Sequence, residues 1–182
     1  MNERLATYLN DHLGGANAGV ELARRLEQAV RDQPDGASLD GLADEIAEDM
    51  ETLRSVVGAI GGSTNPIKQA AGWVAEKAHR VGVAVDTASG DGESGDNDLT
   101  RLLEAESLSL GVEGKLCLWV ALLEVAGAYP SLASLDLPRL ADRARDQRRR
   151  IEVVRLAAAR RAFAPVGQVA ELRTGFPGEL EA

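Results

Sequence analysis

Asp49, Glu106, Glu113 and Gln147 stand at positions where an apolar helical repeat calls for a hydrophobic side chain. Burying an ionised carboxylate without a partner costs several kcal/mol, so such residues bring a metal, a counter-charge or a shifted pKa with them. Levels along antiparallel helices add a fourth group. A turn centred near residue 35 sets Glu21 opposite Asp49, and parallel starts at Ser38 and Asp98 set Asp49 between the levels of Glu106 and Glu113. Glu21, Asp49, Glu106 and Glu113 then converge near the middle of a bundle. An all-carboxylate set suits hard cations, with Mn²⁺, Ca²⁺ or Mg²⁺ more comfortable than Zn²⁺. The competing reading needs no cofactor: the same acids pair with Arg54, Lys115, Arg148 or Arg149, or rotate to solvent. A second turn centred near residue 132 would set Glu113 near Glu152.

Other reactive types are sparse. The only histidines are His12 and His79 and the only cysteine is Cys117, which excludes an internal disulfide and a multi-cysteine zinc site. His12, beside Asp11 and Gly14, reads as a hydrogen-bonded core or rim histidine or, against that, a ligand. Cys117 reads as a small hydrophobe at a core position. Gly14, Gly15 and Gly19 inside a helix would each cost up to ~1 kcal/mol relative to Ala, with close helix approach at Gly15 and Gly19 as the expected return. No phosphate loop or dinucleotide fingerprint is present, because the glycines follow no strand. The acidic stretch from Asp86 to Asp98 lacks the ligand spacing of a calcium hand.

The elements that must position these groups are helical. The chain has 182 residues with 45% hydrophobic and only 3% aromatic residues, and the dominance of Ala and Leu argues against a β-sandwich or barrel. Four long segments follow from apolar spacing and stop signals. The first runs from about Glu3 to Arg31 with Leu5, Leu9, Leu13, Ala16, Val20, Ala23 and Val30 inward. The second starts at Ser38 as N-cap and carries Leu42, Ile46, Asp49, Leu53, Val56 and Ile60 to a stop at Gly61-Gly62. The third starts at Asp98 with Leu99, Leu103, Glu106, Leu110, Glu113, Cys117 and Val120 inward. The fourth has Asp136 as N-cap and carries Leu140, Ala144, Gln147, Ile151, Val154 and Ala158, ending before Pro165. The fold class is all-α, a single four-helix bundle over 1–164, with a flexible or docking tail over 165–182. Short links make segments one and two, and three and four, antiparallel. The long crossover, 61–97, opens a helix at Asn65-Pro66 that Trp73 and Val74 would anchor. If it runs the length of the bundle the order is up-down-down-up; a disordered detour in an up-down-up-down bundle is the alternative.

Four helices with one long crossover between the second and third resemble the ferritin-like superfamily. The phrase from Tyr8 to Leu22, Tyr-Leu-Asn-Asp-His-Leu-Gly-Gly-Ala-Asn-Ala-Gly-Val-Glu-Leu, is similar to the opening of uncharacterised bacterial ferritin-like proteins. The resemblance implies a di-iron site built from one Glu on each of two helices and a Glu-x-x-His pair on each of the others. This chain departs from it. Glu45, Glu48 and Glu51 have no His three residues on, and neither does Glu152. The expectation is a degenerate site, with Mn or Fe as the cofactor if the carboxylates still bind one.

Net charge is −9, which makes nucleic acid and anionic membranes poor partners. The fourth segment is the basic part, with nine Arg and four acids from Asp136 to Arg161. It is expected to pair with Glu27, Glu45, Glu48 or Glu51, within the bundle or across a homodimer. No segment has the apolar length to span a bilayer and the N-terminus has no apolar signal core, so a cytoplasmic protein is expected. The functional expectation is a non-catalytic bundle acting as a structural or interaction protein. A carboxylate-rich metal protein and a small-molecule-binding bundle stand as alternatives, and the tail offers a segment that docks a protein partner.

Overall fold

The computed structural model describes residues 3–60 and 94–164, with side chains in the second stretch from Asn97 onward. Residues 61–93 of the expected crossover, including Trp73, Val74 and His79, and the tail 165–182 lie outside the described residues. The last four residues of that crossover, 94–97, belong to the third helix, which starts four residues before the expected Asp98. Among the described residues every element is helical: α1 (Glu3–Val30), α2 (Leu42–Ala59), α3 (Ser94–Val125) and α4 (Leu137–Phe163), with short 3₁₀ turns between them. No described helix is long and apolar enough to cross a membrane.

α1 forms as its spacing predicts, burying Leu9, Leu13, Val20, Ala23, Leu26 and Val30. α2 starts later than expected. Ser38 lies in a 3₁₀ turn, Gly36–Leu39, where its hydroxyl donates to the Asp35 carbonyl oxygen at 2.7 Å. Gly41, at φ 74°, then redirects the chain, a left-handed conformation that glycine adopts without a Cβ penalty. The inward face of α2, from Leu42 through Ile46, Asp49 and Leu53 to Val56, is the expected one. α4 begins as expected: the Asp136 carboxylate accepts the Arg139 backbone N–H at 3.0 Å, and Pro138 sits in the first turn.

α3 corrects the sequence reading. The face expected to point inward is the outer one: Leu99, Leu103, Leu110 and Val120 are exposed, as is Cys117. Leu102, Ala105, Leu108, Val112, Leu118, Trp119 and Leu122 form the core face instead. α3 carries apolar residues on two stripes, so its own periodicity does not choose between them. Burial of Trp119 with no exposed surface settles the rotation.

Ion pairs fix the directions. Asp98, Glu106 and Glu113 of α3 meet Arg161, Arg155 and Arg148 of α4, so residue numbers rise on one helix as they fall on the other. The α2–α4 pairs Glu48–Arg143 and Glu45–Arg150 run the same way, so both pairings are antiparallel. α2 and α3 are therefore parallel, and α1, antiparallel to α2 through a short link, completes an up-down-down-up order. At one end Arg161 bonds both Asp35 and Asp98 at 3.0 Å, tying α4 to the α1–α2 loop and to the start of α3.

Candidate functional site

The polar centre of the bundle is built around Asp49, whose side chain has no exposed surface. The α2 repeat places it on the inward face, one turn from Ile46 and Leu53. Lys115, three residues from both Val112 and Leu118, occupies the inward face of α3 and brings its ammonium to Asp49 Oδ2 at 2.5 Å. Arg143 of α4 donates from Nη2 to Asp49 Oδ1 and from Nη1 to Glu48 Oε2, the latter at 2.9 Å. Gln147, fully buried, completes the ring: its Oε1 accepts from Lys115 at 2.6 Å, and its Nε2 donates to Glu45 Oε2 at 3.1 Å and, more weakly, to Asp49 Oδ2 at 3.4 Å.

Glu45 extends the network. Arg150 donates to Glu45 Oε1 from Nη1 at 2.7 Å. Its Nε and Nη2 donate to the carbonyl oxygens of Ser38 and Asp40 at 2.8 and 2.7 Å. One guanidinium thus holds the α1–α2 loop against α4. Three acids (Glu45, Glu48, Asp49) meet three cations (Lys115, Arg143, Arg150), so the cluster is charge-balanced. Burial lowers the Lys115 pKa, and the Asp49 carboxylate beside it works in the opposite direction. Arg143 stays firmly charged: the attraction of Asp49 and Glu48 outweighs burial and raises its pKa.

The four expected ligands do not assemble around one point. Glu21 shares a level with Asp49 but points outward, paired with Arg24 at 2.7 Å on the surface. Glu113 meets Arg148 at 2.7 Å, and Glu106 meets Arg155 at 3.4 Å, both on the outer α3–α4 seam. Only Asp49 is interior. Among the described residues no group of three or more His, Cys, Asp or Glu side chains could hold a metal ion. Lys115 and Arg148 are the counter-charges that the sequence offers for Asp49 and Glu113, whereas Arg54 pairs with Glu51 and Arg149 with Asp146. The α4 partner of Glu113 is Arg148 rather than Glu152, which chelates Arg155 through two bonds of 2.6 Å.

The basic fourth helix pairs as expected with Glu45 and Glu48 inside the bundle. Glu27 takes another role, accepting the Ala43 backbone N–H at 2.8 Å near the start of α2. Arg143, the central cation, is the residue sequence reasoning missed. Its one available mark is a position four residues before Gln147, on the same helical face.

His12 packs edge-on against Tyr8, ring centroids 4.7 Å apart, with its Cε1 3.9 Å from where a Cβ on Gly114 would stand. That is ordinary van der Waals distance, so a Cβ on Gly114 would fit between α1 and α3. A Cβ on Gly19 would meet nothing within 4 Å, so no close approach occurs there. The Cys117 thiol sits 3.8 Å from Glu113 Oε1 on the outer face. No family model, curated protein or solved structure matches the chain.

Proposed function

We propose that this chain is a non-catalytic, ferritin-like helical bundle acting as a structural or interaction protein. The observation that carries the reading is the occupancy of Asp49: Lys115 and Arg143 fill its two oxygens from α3 and α4. A divalent cation at that place would have to displace both protein cations from the carboxylate, leaving the Lys115 ammonium with Gln147 alone and Arg143 with Glu48 alone, which is costly. The polar centre therefore acts as a cross-brace between three helices. The apolar stripe exposed on α3 supports an interaction role, because contiguous apolar surface beyond scattered residues marks association sites. A free, exposed Cys117 suits a reducing compartment, and a cytoplasmic location belongs to the same proposal.

Metal analysis tests the reading. Protein purified without chelator is expected to carry no stoichiometric Mn or Fe by plasma mass spectrometry, with Asp49→Ala and Glu113→Ala unchanged in that respect. A stoichiometric metal that both substitutions abolish overturns it.

A further inference from the structure

α3 has two apolar faces, and only one is buried among the described residues. On the other, Leu99, Leu103, Leu110, Cys117 and Val120 follow the three-and-four spacing of a coiled-coil seam, about 32 Å long at helical rise. Leu110 is the most open of them, 62% exposed. Resting on the interaction reading above, we propose that this stripe is a self-association face. A second copy packs α3 against α3, antiparallel, about a twofold axis beside Leu110.

Charge selects that occupant and that direction. With a net charge of −9, two copies repel each other overall. Along this face, however, the acids that interrupt the stripe are matched: Glu106 by Arg155 and Glu113 by Arg148, all part-exposed. The surface is apolar at its centre and charge-paired along its α4 side, in keeping with the apolar core and polar rim of a specific interface. Antiparallel rotation about Leu110 brings Glu106 level with Arg148 of the second copy, and Glu113 close to the level of its Arg155. Each acid then gains a second arginine. A parallel pairing would set Glu106 beside Glu106 and Glu113 beside Glu113 instead. The antiparallel contact is isologous and closes at two copies.

The axis makes a geometric prediction. Residue 110 faces its own copy, whereas the two Cys117 side chains stand about 21 Å apart, far beyond disulfide reach. In sedimentation velocity the full chain is expected to run as a dimer and Leu110→Asp as a monomer with unchanged helical circular dichroism. In a Cys117→Ser background, Leu110→Cys is expected to oxidise to a covalent dimer, while Leu103→Cys does not. A monomeric wild type, or a Leu110→Asp protein that stays dimeric, overturns the proposal. So does a photo-crosslinker on Leu110→Cys that captures only residues 61–93 or 165–182 of its own chain. Should Leu110→Asp unfold, the cysteine pair still decides. None of these outcomes bears on metal content, so the non-catalytic reading stands or falls separately.

Discussion

Asp49 shows how a single polar residue in a helical repeat acquires its meaning from its neighbours. Alone, a buried carboxylate is an invitation to a metal; between Lys115 and Arg143 it neutralises two cations at the centre of the bundle. Removing it leaves an ammonium, already disfavoured by burial, beside a guanidinium of the same sign. Asp49→Leu is therefore expected to cost about 3–5 kcal/mol in urea denaturation, as breaking a buried pair from one side does. A change within about 0.5 kcal/mol, the range of ordinary surface substitutions, would mean that Lys115 and Arg143 escape to water and that the bonds to Asp49 are incidental. The residue type and its inward position were readable in the sequence. Lys115 stood among the counter-charges that the sequence offered, but the choice between counter-charge and metal, and the second partner Arg143, were not readable, because the two cations are 66 and 94 residues away along the chain.

At the level of elements, α1, α2 and α4 bury the faces their spacing announces, since each is amphipathic enough for one orientation to win. α3 is greasy on both sides, and a local pattern with two solutions has no local answer. The α1–α2 connection is likewise settled by packing. A Cβ on Gly36 would overlap the backbone carbonyl of Val30, an atom that cannot swing aside. Gly36→Ala is expected to cost about 1–3 kcal/mol through forced backbone movement. Gly19→Ala, on α1 with open space around it, should instead gain about 0.5–1 kcal/mol from helix propensity. Thermal melts of the two variants separate these cases, and equal shifts would refute the account of the loop.

For the whole molecule, the up-down-down-up order follows from long side chains that cross between helices. With Asp49 level with Lys115, the end of α2 and the start of α3 are on the order of 45 Å apart along the bundle axis. The 33 residues between them (61–93) must cover that distance, as the length of the link foretells. The charge-balanced cluster joins α2, α3 and α4 at one level and so penalises a bundle slipped by a turn. Replacing Asp49, Lys115, Arg143 and Gln147 together by Leu is expected to keep helix content and overall stability while weakening hydrogen-exchange protection near the centre, where only bonded polar groups fix the register. A quadruple variant with wild-type protection would remove that role. From local periodicity and stop residues alone, the sequence determines the four long helices found among the described residues, where most of them end, and that neighbours joined by short links are antiparallel. What tertiary structure alone decided is rotation and level. A turn centre two residues from the expected place moves the partner of Glu113 by one helical turn, from Glu152 to Arg148, and converts a repulsive meeting into an attractive one. Helical spacing repeats every turn while charge does not, so only packing across the bundle could choose.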